Sequence, residues 1–191
     1  MSKVIDFLDS KQRLEKNKLN DNLSLNKLLE KATVLKGRPL AIDSEKIIIP
    51  LTLKQLEISF SSRIADILLA QKSIERENLF CINYIANLFV RMVKNENVKS
   101  WCAFDYIKEY ERQKDSLTLK KGAEICFFSY SFFCKEDEGL NSLYKEVGSS
   151  LYLNFFKISQ EIVSYYMGKN FDLLGQITNQ SIRSFQKKSP C

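Results

Sequence analysis

The sequence predicts an all-α fold: a compact single-domain bundle of six to eight helices with one extended connector bracketed by prolines. Three observations predict it. Apolar residues recur at i, i+3, i+4 and i+7 through most of the chain, which is the period of an amphipathic helix. Only six Gly and three Pro punctuate 191 residues, too few for a strand-and-turn architecture. A hydrophobic content of 45% with 27% charged residues is that of a globular chain with a sizeable core.

Residues 1–20 read as a basic N-terminal arm or short helix, and residues 21–188 as the helical domain. Residues 2–17 carry apolar residues at Val4, Ile5, Phe7, Leu8 and Leu14, and only the first half of the segment has an apolar face to bury. Residues 23–35 repeat Leu25, Leu28, Leu29, Ala32 and Leu35 at helical spacing, with Gly37 as the stop. Pro39 and Pro50 bracket the connector, where β-branched Ile47, Ile48 and Ile49 disfavour a helix. Thr52 is placed to cap a helix reaching about Lys72, with Leu53, Leu56, Phe60, Ile64, Ile67 and Leu68 on one face. Ser73 is placed to cap the next, which carries Leu79, Ile82, Ile85, Ala86, Phe89 and Val93 and ends near residues 95–97.

Residues 101–113 form a shorter helix with Phe104, Ile107 and Tyr110 on one side and charges on the other. Residues 119–135 are apolar nearly all round, which marks the most buried helix. A break at Gly139 or Asn141 precedes one helix running to about Met167 with Gly148 inside it, and residues 171–186 close the domain. Eleven of the 22 aromatic residues fall between residues 121 and 166, so the core centres there.

The chain contains no histidine. Imidazole-based Ser or Cys catalysis, His-containing zinc sites and haem ligation through His are thereby removed. No GxGxxG, GxxxxGK[ST] or acidic calcium loop is present. Asp105, Glu109 and Glu111 alternate with Lys108 and Arg112 as on a solvated helix face. Cys126 and Cys134 lie eight apart, about 80° round a helix, which suits small core hydrophobes better than zinc ligands. No cofactor or metal is expected. A helix–turn–helix parse of residues 53–69, turning at residues 59–61, lacks the usual Gly and offers only Arg63 on its reading helix, so one core helix fits better.

No secretory leader is expected, because residues 1–18 lack an apolar stretch. The longest apolar runs, residues 79–93 and 123–134, fall short of the ~20 residues a membrane span needs. Five scattered cysteines fit thiols in a reducing cytoplasm. The net charge of +6 comes partly from the two ends, where solvated tails are the simple reading and nucleic-acid arms the functional one.

Tyr130, Tyr144, Tyr152, Tyr165 and Tyr166 bring hydroxyls into the apolar centre. They read either as locally satisfied core residues or as the polar groups of an apolar cavity. In the second case Cys126, Tyr130, Tyr144, Gly148 and Tyr152 are the candidate lining. Gly148 inside a helix costs about 1 kcal/mol against Ala, so it marks the close approach of another helix or of a bound group.

Residues 56–156 also resemble a family of small all-helical bacterial proteins without assigned function. Residues 64–70, Ile-Ala-Asp-Ile-Leu-Leu-Ala, are similar to its Ala-rich helix end. Residues 122–133 are similar to its Gly-Asp-x-x-Leu-Phe-x-x-Gly-Phe-Phe block, with Ser131 for the second Gly. Residues 143–152 are similar to its Tyr-Tyr-x-x-Met-Gly block, with Leu143 for the first Tyr and Val147 for Met. The resemblance implies a helical fold and a bacterial cytoplasmic origin, and it supplies no activity. The lack of catalytic motifs, and more apolar faces than one six-helix bundle needs, lead to the expectation of a non-enzymatic protein working through protein–protein contact, as a homodimer. The alternatives are a small-molecule or lipid binder with a Tyr/Phe-lined pocket, and nucleic-acid binding through the basic termini.

Overall fold

The computed structural model describes Lys31 and residues 53–70, 76–94, 98–133 and 138–186. Among these the chain forms seven helices and no strand: α1 (Leu53–Ala70), α2 (Arg76–Val93), α3 (Ala103–Gln113), α4 (Ser116–Phe133), α5 (Glu138–Ser159), α6 (Ile162–Lys169) and α7 (Phe171–Gln186). The N-terminal arm, the Pro39–Pro50 connector, the caps at Thr52 and Ser73, and Cys134 lie outside the described residues. Lys31 is helical and its ammonium pairs with Glu146 of α5.

α1 is a single uninterrupted helix, so the turn required by the helix–turn–helix parse is absent. Leu56, Phe60, Ile64 and Leu68, one helical turn apart, are all buried. α2 buries Cys81, Ile82, Ile85, Ala86, Leu88 and Phe89, and the Phe60 and Phe89 rings stack across the two helices at 4.5 Å. α3 ends where Lys114 adopts the left-handed conformation (φ 58°) and returns its N–H to the Tyr110 carbonyl.

α4 begins three residues earlier than its apolar pattern suggests. Asp115 accounts for this: its Oδ1 accepts the Leu117 N–H at 3.0 Å, and its carbonyl accepts the Thr118 N–H. From Ala123 to Ser129 every residue of α4 is buried. The helix lies mainly against α5, with α3, α7 and α2 also around it, while α1 packs on α2 and α7.

The expected helix from residue 139 to about Met167 is in fact two. Gln160 sits at φ 58°, donates its N–H to the Phe156 carbonyl and its side-chain amide to the Lys157 carbonyl, and so closes α5. Glu161 then caps α6, accepting from the Ser164 hydroxyl and backbone. The bend turns α6 towards α2, where Asn170 donates to the buried Asn78 at 2.6 Å and the Tyr166 ring stacks on Phe80.

Candidate functional site

Four of the five residues singled out by the sequence converge on one ring, Phe171, the first residue of α7. A Cβ at Gly148 would lie 2.5 Å from two carbons of that ring and 2.7 Å from the Cys126 Cβ. Tyr130 and Tyr152 flank the same ring at centroid distances of 5.7 and 6.3 Å, and Phe127 meets it edge-on at 5.3 Å. Tyr144 is buried on α5, one turn before Gly148. The glycine thus marks the close approach of α7, and Phe171 fills the space a bound group would have occupied. The nearby void bounded by Phe89, Phe127, Phe128 and Ser131 is about 10 Å³, at the lower limit for one water.

The Tyr84, Tyr130 and Tyr152 hydroxyls in this centre are engaged. The Tyr84 hydroxyl donates to Glu124 at 2.6 Å and lies 3.4 Å from the Tyr152 hydroxyl, while Arg91 donates to the same Glu124 oxygen at 2.9 Å. Glu124 is 4% exposed, so removing one of these partners would leave a buried carboxyl poorly satisfied. Burial, followed by the neighbouring Tyr152 and Glu124, pushes the Tyr84 hydroxyl well above its ordinary range. Burial and then Glu124 do the same to Tyr152, and burial raises the Cys81 thiol to about 12. These groups are held neutral, which suits packing rather than nucleophilic chemistry.

Sequence reasoning missed a different feature. An open groove of about 410 Å³ runs beside α7, lined by Tyr130, Asn141, Gly175, Gln176, Asn179, Gln180 and Arg183. Of the five sequence candidates only Tyr130 reaches it. Gly175 permits the Tyr130 ring to lie directly on α7, because a Cβ there would collide with the ring carbons. The Tyr130 hydroxyl donates to Asp172, which also accepts from Lys145 and from Gln176 at 2.9 Å. Partial burial alone would raise the Asp172 carboxyl, but the hydrogen bonds from Lys145, Tyr130 and Gln176 together hold it below its ordinary value. On the other side of α7 a second opening of about 210 Å³ is lined by Arg63, Asp66, Ile67, Ala70 and again Gln180.

Gln176, Asn179, Gln180 and Arg183 stand at i, i+3, i+4 and i+7, so the groove wall was visible in the sequence as the polar face of the last helix. Nothing distinguished that face from a merely solvated one until Tyr130 and Asn141 were seen to oppose it. Among the described residues no group of His, Cys, Asp or Glu is arranged to hold a metal ion, and no helix is long and apolar enough to cross a membrane. No protein-family model, curated protein or solved structure matches the chain.

Proposed function

We propose that this chain is a non-enzymatic interaction module that holds an extended segment of a partner protein in the groove along α7. The observation that carries the reading is the row Gln176, Asn179, Gln180 and Arg183 facing Tyr130 and Asn141 across one opening. A carboxamide offers both a donor and an acceptor, which is what an extended peptide backbone requires of its receptor. The groove volume lies within the range of about 300–1,000 Å³ usual for specific binding sites. The lack of any histidine supports the non-enzymatic side of the reading. A void of about 10 Å³ among the core rings gives a small-molecule or lipid site there no support.

The test is selection of random peptides on the immobilised protein, with the Gln176→Ala/Gln180→Ala variant used for counter-selection. Sequences enriched on the natural protein and lost on the variant support the reading. A selection without enrichment, or one indifferent to the variant, refutes it.

One feature favours a second copy of the chain as a further partner. Phe80, 63% exposed, stacks on Tyr166, with Ile162 one turn earlier on α6 and 45% exposed. Two-fold symmetry would bring such a strip against itself. Sedimentation equilibrium across a wide concentration range checks this: dissociation on Phe80→Ser is expected, and a monomer throughout removes the homodimer.

A further inference from the structure

We infer that the segment held in the groove is the C-terminal end of a peptide, with its α-carboxylate on Arg183. The inference rests on reading the groove as a peptide site. It follows from what the two ends of the groove can offer.

At the near end, part of the donor capacity is committed. The Gln176 amide nitrogen donates one N–H to Asp172 at 2.9 Å, and the Asn179 amide nitrogen donates one to the Ser131 carbonyl at 2.5 Å. Each side chain keeps its carbonyl oxygen and one N–H for a ligand. The Asp172 carboxylate beside them is paired with Lys145, so this end offers neutral hydrogen-bonding groups. At the far end stands the guanidinium of Arg183, with no carboxylate partner among the described residues and five N–H donors in a fork. A complementary ligand must bring the paired donors and acceptors of a peptide backbone to the first end and an anion to the second.

Length then selects among ligands of that kind. Gln176 and Arg183 are seven helical residues apart, a rise of about 10 Å. Three residues of extended chain span about 10 Å, carry N–H groups along their length and end in a carboxylate. A free amino acid places its ammonium and carboxylate on one carbon and cannot bridge the two ends. A nucleic-acid strand has the length, but it needs stacking faces and several cations. Among the described residues the one aromatic ring in the groove, Tyr130, lies between Gly175 and Phe171, and Arg183 is the one cation lining it.

The test uses the full chain and two libraries of random hexapeptides, one displayed with free C-termini and one with the C-terminus fused to the carrier. Enrichment is expected from the first library. The winning sequence, synthesised as free acid and as C-terminal amide and measured by fluorescence anisotropy, should lose ten-fold or more in affinity on amidation. Arg183→Met should weaken the free acid to the level of the amide without shifting the melting temperature, since Arg183 is exposed. Equal affinity of acid and amide, with binding abolished by Gln176→Ala, would overturn the C-terminal inference and leave the peptide groove standing. Failure of both libraries would remove the groove reading with it. Binding of a fluorescent oligothymidylate that Arg183→Met abolishes would replace the peptide with a nucleic acid.

Discussion

Replacing Gly148 with Ala tests the packing of the centre with a single methyl group. In isolation the change favours folding, since Ala in a helix interior is about 1 kcal/mol better than Gly. The methyl, however, would stand 2.5 Å from Phe171 ring carbons and 2.7 Å from the Cys126 Cβ, where ordinary carbon contacts are about 3.5–4.0 Å. The ring must retreat by about 1 Å, and it is hemmed in by Phe127, Tyr130 and Tyr152. Overpacking of this kind costs about 1–3 kcal/mol, more where the neighbours cannot yield. At the upper end of that range the net effect is a loss of about 2 kcal/mol, which lowers the melting temperature by roughly 4–8 °C for a chain of this size. Urea unfolding followed by circular dichroism reads the same loss as a lower midpoint at unchanged slope. Gly122→Ala is the internal comparison, because its methyl meets Leu151 and Tyr106 only at 3.2 Å and the Leu151 methyl can move aside. The double variant Gly148→Ala/Phe171→Leu should be less destabilised than the sum of the two single changes. A Gly148→Ala protein as stable as the natural one, or more so, would refute the packed centre and reopen it as a binding space.

Three further outcomes are expected. Arg91→Met should destabilise by about 3 kcal/mol, the low end for a broken buried pair because Arg91 stays a third exposed, while Arg91→Met/Glu124→Leu should recover most of the loss in the same urea assay. Tyr84 and Tyr152 remain neutral in the folded protein above pH 10 while their unfolded counterparts ionise, so each should remove about 1.4 kcal/mol of stability per pH unit there; Tyr152→Phe should visibly flatten the alkaline fall. Asp172 is held below its ordinary value of 3.8, so its contribution is complete above that pH and lost as pH falls through its folded value. The stability gap between the natural protein and Asp172→Asn should accordingly narrow below about pH 3.8 in acid melts.

The helices were legible because burial and spacing coincide: Leu56, Phe60, Ile64 and Leu68 can face one core only if the chain coils through them. The break at Gln160 was not legible. Neither Gly nor Pro marks it; Ser159, whose hydroxyl accepts the Glu161 N–H at 3.2 Å, is a weak local signal, and the contacts of α6 with α2 lie far away in sequence. The early start of α4 did carry a signal in Asp115, but an apolar pattern begins only where the apolar residues do. At the site, Cys126, Tyr130, Gly148 and Tyr152 lie around one point, and the sequence did not reveal that Phe171 occupies it. The groove escaped because Gln176, Asn179 and Gln180 gain meaning only from Tyr130 and Asn141 opposite. Buried Glu124 escaped for a similar reason, since its partners Tyr84 and Arg91 lie on another helix.

Phe171 touches two tyrosines whose hydroxyls lead to two different carboxylates: Tyr130 to Asp172 on α7, and Tyr152 through Tyr84 to Glu124 on α4. A seam made only of Phe, Leu and Ile offers many alignments of similar energy, because greasy surfaces slide past one another with little change in buried area. Moving α7 along α4 by one turn, about 5.4 Å, would lift Phe171 out of its notch at Gly148 and strand Asp172 away from Tyr130. The rings thus supply most of the cohesion, while the tethered hydroxyls select one alignment from the many that cohesion alone would permit. The side chains of Gln176 to Arg183 inherit their positions from that selection.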